Sequence, residues 1–180
     1  FESFIDEIIK SGIEVIYVHA RNAILTGISP KDNRNIPPLN YEFIKQIKLK
    51  YPDITFILNG GIDSIEKALN LSKLYDGVML GRLIQNNPFC LKDVDYLFYN
   101  ESNKYKISEN TVKEYFNFIK PQIGKDSIYR LLSPLLNIFF GIPNGKKFKI
   151  DIHSNMKDSN FDVLEKIFLN FIEEKKISIN

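Results

Sequence analysis

Two short apolar segments, each followed by a glycine-containing turn, constrain the fold of this chain more than any other feature. The first covers residues 54–58 and the second residues 78–80. Between them, residues 65–74 repeat apolar side chains at helical spacing, and Asp63 and Glu66 have the spacing of a capping box that would begin the helix. The order strand, helix, strand predicts a βαβ unit with two parallel strands.

The two turns after these strands form a candidate anion site. The first contains Gly60 and Gly61, and the second contains Gly81 and Arg82. Parallel strands end at the same edge of a sheet, so both turns would lie side by side. Glycine lets backbone N–H groups approach a small anion closely, and an arginine fork can bind a phosphate through two hydrogen bonds. A Gly-Gly pair by itself is more often an ordinary turn, but the second turn with its arginine favours a phosphate site.

The rest of the chain divides into an α/β part and a helical part. Helices are predicted at residues 2–11 and 41–50, with a strand at 14–18 between them, so His19 and Arg21 follow a third strand. After residue 82 only helical patterns occur, at residues 86–98, 111–123, 126–140 and 161–174. We therefore predict two domains, residues 1–100 and residues 108–180, which are joined by a linker at 101–107.

Two groups of basic residues are candidate phosphate contacts. Residues 21–40 form an unusually long predicted loop that contains Arg21, Lys31 and Arg34, and loops of this length are more often functional than idle. In the helical part, Lys146 and Lys149 would lie on one face of a helix. For an isolated pair of lysines, an ordinary solvated patch is the more common arrangement, and it is the alternative interpretation of the second group.

Composition excludes several classes of protein and leaves others open. With 44% hydrophobic and 26% charged residues and a net charge of +2, the chain is expected to be soluble, without a membrane span, and the charge does not identify a nucleic-acid partner. One cysteine, Cys90, excludes an internal disulfide and a cysteine-rich zinc site, and we interpret it as a packing residue. His153 is interpreted as a surface residue. No nucleophile with a base and no metal cluster is spaced for chemistry, so a cofactor must supply any redox step.

Six sequence blocks resemble the tRNA-dihydrouridine synthases, in particular the DusA-type branch, and they occur in the same order as in that family. A seventh segment, residues 140–143 with the lysines that follow, extends the resemblance into the helical part. The six blocks are residues 18–21, 27–34, 36–39, 59–62, 76–82 and 87–88.

The resemblance implies a specific fold and reaction. The family folds as an FMN-binding (β/α)8 TIM barrel followed by an all-helical domain, and it reduces a D-loop uridine of tRNA, expected at positions 20/20a, to dihydrouridine with NADPH as reductant. This chain resembles the C-terminal portion of the barrel plus the helical domain. The implied FMN contacts are His19, Asn59, Gly60, Gly61, Gly81 and Arg82. The implied tRNA contacts are Lys31, Arg34, Lys146 and Lys149, with Arg21 added from the same loop.

The chain departs from the family pattern in two ways. Lysine replaces arginine at 146 and 149, which weakens bidentate phosphate recognition there. The family's catalytic cysteine is expected upstream of Phe1, so we assign no catalytic residue and no metal ligand to this chain and expect the fragment alone to be inactive.

We expect the protein to be a monomer that binds tRNA and no membrane, in the cytoplasm or an organelle. Two alternatives remain: a non-catalytic RNA-binding fragment, or another FMN-dependent barrel oxidoreductase.

Overall fold

The structure, a computed structural model, describes residues 1–101, 108–156 and 161–175 of the chain, and it divides into two compact units. Unit 1 is Phe1–Leu83 and unit 2 is Ile84–Asn180. The elements of unit 1 are α1 (Glu2–Lys10), β1 (Val15–His19), α2 (Pro30–Asn33), α3 (Tyr41–Lys50), β2 (Thr55–Asn59), α4 (Ile65–Ser72) and β3 (Gly77–Met79). A short helix, α5 (Arg82–Asn86), begins at the end of unit 1 and continues into unit 2.

The three strands of unit 1 form one parallel sheet in the order β1-β2-β3. This topology confirms the predicted βαβ unit. Side chains alternate strictly between the two faces, as they do in any strand. The face that carries Ile16 and Phe56 is buried, whereas Val15 and Tyr17 on the opposite face of β1 are 49% and 65% exposed. The helices of unit 1 therefore cover one face of the sheet.

Side-chain caps begin two of the helices that flank the strands. Asn40 accepts a hydrogen bond from the Phe43 N–H at 3.0 Å and starts α3 at the predicted residue. Ser64 accepts one from the Lys67 N–H at 3.1 Å and starts α4. The predicted capping box at Asp63 is therefore wrong by one residue, because serine takes the cap position and Lys67 is the third helical residue.

Asp76, just before β3, links three elements of unit 1. Its carboxylate accepts a hydrogen bond from the Phe56 N–H at 2.9 Å and another from Lys48 on α3. The hydrogen bond from Lys48, and then the one from Phe56, hold the pKa of Asp76 below its ordinary value of 3.8. Tyr75 adds a second link, because its hydroxyl donates to the Tyr41 carbonyl at 2.7 Å.

In the described part of unit 2, all the regular elements after α5 are helices. These elements are a 3-10 helix (Pro88–Asp93), α6 (Val94–Tyr99), α7 (Glu109–Ile119), a second 3-10 helix (Lys120–Gln122), α8 (Ile128–Leu132), α9 (Gly145–Asn155) and α10 (Phe161–Glu174). Nearly all of the predicted linker, residues 101–107, lies outside the described residues. The predicted domain bounds therefore stay a prediction.

Aromatic side chains dominate the core of unit 2. Phe168 on α10 is fully buried, and its ring centroid lies 5.5 Å from that of Phe116 on α7 and 4.8 Å from that of Phe148 on α9. Offset and edge-on ring contacts of this kind are favourable beyond the area that they bury. The buried cluster consists of Val112, Phe116, Ile119, Leu132, Leu135, Leu136, Ile138, Phe139, Phe148, Ile152, Phe161, Leu164, Phe168, Phe171 and Ile172.

The predicted helix at residues 126–140 is wrong over most of its length. Helix α8 ends at Leu132, and turns follow through residue 144. Pro134 lacks an N–H group and cannot donate to the Arg130 carbonyl, which accepts a hydrogen bond from the Ser133 hydroxyl at 3.0 Å instead, so the regular helix ends there. Leu135 and Phe139 are nevertheless buried, so the regular spacing of these apolar residues arises from their packing in the core and not from a helix. Similarly, α7 ends at Ile119, and the predicted helix at 86–98 is a 3-10 helix followed by α6.

Candidate functional site

The ends of the three parallel strands bring together the predicted site residues of unit 1. His19 and Asn59 are the last residues of β1 and β2 and are direct partners in the register. Asn59 in turn pairs with Met79, two residues before Gly81. The three turns therefore share one edge of the sheet, as the parallel arrangement predicted.

The Gly60-Gly61 turn favours glycine at both positions. The φ angles are +110° at Gly60 and +65° at Gly61, in the left-handed region. A Cβ atom at Gly60 would lie 3.0 Å from His19 Cε1, and one at Gly61 would lie 2.2 Å from Leu39 Cδ1. A side chain at either position would displace a neighbour at the strand ends.

Side chains satisfy the carbonyl groups of the same turn. The Tyr41 hydroxyl donates to the Gly60 carbonyl at 2.6 Å, and Lys67 Nζ donates to the Gly61 carbonyl at 2.6 Å. A fixed turn presents its backbone N–H groups in one orientation, which is what an anion site requires.

Gly81 differs from these two glycines. A Cβ atom there would meet nothing within 4 Å, so no neighbouring group of the described structure requires glycine at this position. The space beside its Cα atom is open, and Arg82 follows directly. This open space next to a guanidinium is compatible with a bound phosphate group.

Arg21 holds the long loop against the end of β1. Its Nη1 donates to the Asn35 carbonyl at 3.0 Å and also to the Pro37 carbonyl. Its Nε is buried and has no hydrogen-bond partner within the described structure. A buried donor without a partner costs free energy, which the two hydrogen bonds from Nη1 offset in part. Arg21 therefore has a structural role, and its predicted tRNA contact stays a prediction.

Asn35 connects the two arginines of the site. Its backbone carbonyl accepts from Arg21, and its side-chain Oδ1 accepts from Arg82 Nη1 at 2.5 Å. Its amide nitrogen donates to the Lys31 carbonyl at 3.1 Å, which fixes the orientation of the side chain. Among the described residues, no carboxylate forms a salt bridge with Arg82, so its charge is not neutralised.

The environment of His19 favours a neutral ring. Burial lowers its pKa from the ordinary value of 6.5, and the positive charges of Arg21 and Arg82 lower that pKa further. Its Nδ1 accepts a hydrogen bond from the Arg21 N–H at 3.3 Å, so the proton of the neutral ring lies on Nε2. His19 can therefore donate a hydrogen bond through Nε2 near neutral pH.

The long loop is more ordered than its turn-rich sequence indicated. Ser29 caps the short helix α2, and the Asn33 side chain bonds to both the N–H and the carbonyl of Ile24. Lys31 and Arg34 are exposed on this loop, beside a surface cavity of about 500 Å³. This cavity is lined in part by His19, Arg21, Ile24, Ile28, Asn33 and Arg34.

The two predicted lysine contacts of unit 2 have different surroundings. Lys146 and Lys149 both lie on α9, on consecutive turns, as their spacing predicted. Lys146 is exposed, whereas Lys149 is half-buried and donates a hydrogen bond to Asn137 Oδ1. Lys149 is therefore held in one position, and the structure does not present the two as one uniform patch.

Residues 2–173 match the family model described as Dihydrouridine synthase (Dus). The chain belongs to the dihydrouridine synthase family. Its relatives include a protein of Xanthomonas axonopodis pv. citri, 33% identical over 150 residues that cover 83% of this chain and 44% of the relative. A Pseudomonas aeruginosa relative is 35% identical over 155 residues, covering 83% of this chain and 47% of the relative. A Vibrio vulnificus relative is 31% identical over 177 residues, which cover 97% of this chain and 54% of the relative.

All three relatives carry the name tRNA-dihydrouridine(20/20a) synthase, which agrees with the resemblance in the sequence. The chain spans about half the length of these dihydrouridine synthases. Within the described ranges, no helix is long and apolar enough to cross a membrane, and no three His, Cys, Asp or Glu side chains converge as metal ligands would.

Proposed function

We propose that this chain takes part in the flavin-dependent reduction of a uridine in tRNA to dihydrouridine, at positions 20/20a as the names of its relatives suggest. The observation that supports this most is the strand-end cluster, in which Asn35 bonds to both Arg21 and Arg82 beside the Gly60-Gly61 turn. The cluster combines uncompensated positive charge with a fixed glycine turn, and both features suit the phosphate of FMN.

We assign a part in holding the cofactor to each of the predicted FMN contacts. Arg82 would contact the phosphate with the donors that Asn35 leaves available, and Asn59, Gly60, Gly61 and Gly81 would line the phosphate loops. His19 would donate from Nε2 to an acceptor of the cofactor. Bound FMN would supply hydride chemistry, with NADPH as the reductant.

We assign no catalytic acid to the described residues. Cys90 is half-buried in a 3-10 helix of unit 2, and burial raises its pKa. A thiol in such surroundings behaves as a packing residue, since the reactive thiolate is disfavoured. The proton donor of the reaction would therefore come from another segment of the protein.

Basic residues outside the cluster would hold tRNA. Lys31 and Arg34 are exposed on the loop above the strand ends, where a substrate too large to enter a barrel would rest. Lys146 and Lys149 would add contacts from the helical part. We propose that the protein acts as a monomer, in the cytoplasm or in an organelle.

The exposed apolar face of the sheet favours the proposal that unit 1 is part of a larger barrel. Val15 and Tyr17 on β1 are apolar or aromatic and largely exposed, and Met79 on β3 is 43% exposed. In a (β/α)8 barrel this face would point into the packed interior. We therefore propose that residues 1–100 belong to an FMN-binding barrel and residues 108–180 to a tRNA-binding helical domain.

The function is tested by assaying the full-length protein with FMN, NADPH and unmodified tRNA, with dihydrouridine detected by mass spectrometry. We expect turnover, and we expect Arg82→Ala to weaken FMN binding by at least about tenfold, because a charge-assisted contact to phosphate is lost. Lys73→Ala removes an exposed cation of unit 1 and is the control. If Arg82→Ala keeps its bound flavin, the phosphate site is wrongly assigned.

A second arm of the same experiment tests the tRNA contacts. The variant Lys31→Ala/Arg34→Ala should bind tRNA more weakly, and the slope of log affinity against log salt should become shallower by about 1.4 to 1.8, as expected for two lost phosphate contacts. Its FMN affinity should be unchanged and serves as the internal control. An unaltered salt slope would show that the loop does not contact tRNA.

A further inference from the structure

Unit 2 contains a cavity of about 470 Å³, and of its lining residues only Lys149 has a role in the function proposed above. Pro88, Pro134 and Leu136 contribute apolar walls, and Tyr129, His153, Lys149 and Asn137 contribute the polar and aromatic part of the lining. Cavities of a few hundred Å³ with apolar walls and a few fixed polar groups are typical of sites for small ligands or for single units of a polymer. The arrangement of its side chains indicates which chemistry it suits.

An exposed pair of stacked rings lies in this lining. The rings of Tyr129 on α8 and His153 on α9 are nearly parallel, with an interplanar angle of 25° and a centroid distance of 5.9 Å. Tyr129 is 56% exposed, so the pair is not part of the packed core. Exposed aromatic faces are the platforms on which unstacked nucleobases bind in single-stranded nucleic-acid sites.

A fixed ammonium group lies in the same cavity. Asn137 Nδ2 donates to the Gln85 carbonyl at 2.6 Å, which fixes the amide, and Asn137 Oδ1 accepts a hydrogen bond from Lys149 Nζ, which holds Lys149 in place. Lysine has three N–H donors, and this contact uses one of them. Within the described residues no carboxylate forms a salt bridge with Lys149, so the cavity retains a positive charge.

The spacing on α9 places this charge close to the rings. Lys149 and His153 are four residues apart, so they lie one above the other on the same face of the helix. An aromatic platform without the lysine would suit any flat apolar ligand, and the lysine without the rings would suit any anion. A nucleotide is the ligand class that uses a flat ring and a nearby phosphate together.

We propose that this cavity binds one unstacked nucleotide of single-stranded RNA, with its base against the Tyr129–His153 pair and its phosphate at Lys149. The proposal rests on the proposed tRNA substrate and adds a base contact to the phosphate contacts already assigned. It gives His153, interpreted from the sequence as an ordinary surface residue, a role in binding.

The test compares two labelled hexamers, oligouridylate and an abasic ribose-phosphate hexamer of equal charge, by fluorescence anisotropy with the full-length protein. We expect Tyr129→Ala to weaken oligouridylate binding by about 5- to 100-fold, the effect of losing one stacked base, and to leave the abasic hexamer unaffected. Tyr129→Phe keeps the ring and should bind like the unaltered protein. Phe118→Ala removes an aromatic side chain on α7 that is 76% exposed and is not among the cavity residues, and it should have no effect.

Two outcomes would overturn the proposal. If Tyr129→Ala weakens both hexamers equally, or neither, the rings do not bind a base. If uridine monophosphate binds in a Tyr129-dependent way and oligouridylate does not, the cavity takes a free nucleotide and the RNA assignment is wrong. These binding readouts are separate from turnover. A protein that shows the ring effect without forming dihydrouridine would refute the proposed reaction and not this site.

Discussion

The strand-end cluster of unit 1 and the phenylalanine core of unit 2 are stabilised by different kinds of interaction. The cluster depends on directed hydrogen bonds, such as those from Arg21 and Tyr41 to backbone carbonyls. The core depends on buried rings, with Phe168 in contact with three other phenylalanines at centroid distances of 4.8 to 6.2 Å. Directed bonds fix the positions of atoms, whereas ring packing chiefly contributes stability.

This difference indicates where substitutions should affect binding and where they should affect folding. Removing one group from the cluster should lower ligand affinity while unit 1 stays folded. Removing one ring from the core should destabilise all of unit 2, because the cavity that is left cannot refill completely. The following experiments test this division, beginning with the largest expected effect.

Phe168→Ala should have the largest effect on stability. Phe168 is fully buried, and truncating a buried phenylalanine costs about 3–5 kcal/mol from lost burial and the resulting cavity. Urea unfolding followed by far-ultraviolet circular dichroism measures the loss. Phe118→Ala, at a position 76% exposed, is the matched control and should change the unfolding free energy by about 0.5 kcal/mol or less. Equal effects of the two variants would contradict the assigned core.

Gly61→Ala should reduce FMN affinity with a smaller cost in stability. The new Cβ would lie 2.2 Å from Leu39 Cδ1, so the turn or Leu39 must move, and the positive φ of +65° adds strain of about 1 kcal/mol or more. FMN titration of the full-length protein measures the affinity.

Gly124→Ala separates the clash at Gly61 from the strain. Gly124 also has a positive φ, of +84°, but a Cβ there meets nothing within 4 Å. This variant should lose a similar amount of stability from strain alone and keep its FMN affinity. If both alanine variants bind FMN equally well, the close approach at Gly61 has no part in binding.

The smallest expected effect is that acid weakens the protection of a backbone N–H group of unit 1 from hydrogen exchange. The pKa of Asp76 is lowered in the folded state, so the unfolded chain takes up the proton first. The stabilisation is complete well above the ordinary value of 3.8, and it is lost as pH falls through that value to the lower folded pKa. The protection factor of the Phe56 N–H, which donates to Asp76, should fall over this range once the exchange rate is corrected for its intrinsic pH dependence.

Asp76→Asn is the variant that tests the assignment, since its side chain cannot titrate. The Phe56 N–H of this variant should have a lower protection factor than that of the unaltered protein at neutral pH, and this protection factor should change less as the pH falls. Asp53→Asn, at an exposed position, is the control and should behave like the unaltered protein. A steep acid dependence that persists in Asp76→Asn would assign the effect to other carboxylates.

Regular local patterns made much of the fold predictable from the sequence. Helix α3 begins and ends at the predicted residues, because Asn40 caps it and Tyr51-Pro52 follows its last turn. Helix α10 was also predicted at its observed bounds from the spacing of its apolar residues. The helix predicted at 126–140 failed because Pro134 outweighs apolar spacing that arises from packing.

The contacts within the candidate sites were much less predictable. Glycine and arginine at strand ends indicated a phosphate site, but nothing in the sequence indicated that Asn35 would bond to Arg82, 47 residues away. The stacking of Tyr129 on His153 likewise depends on how α8 and α9 pack. Contacts between residues distant in sequence arise from tertiary packing, which local patterns do not encode.

The long loop of unit 1 is closed at its base. The Asn40 N–H donates to the Ala20 carbonyl at 2.7 Å, and Arg21 and Leu39 form an antiparallel bridge, so the loop leaves and rejoins the sheet at one point. Insertions or deletions at residues 23–28 would therefore change the loop without shifting the strand ends or Lys31, whose carbonyl orients Asn35. Evolution or protein engineering could replace this segment with another sequence and so change which partner the loop binds, while the strand-end cluster keeps its geometry.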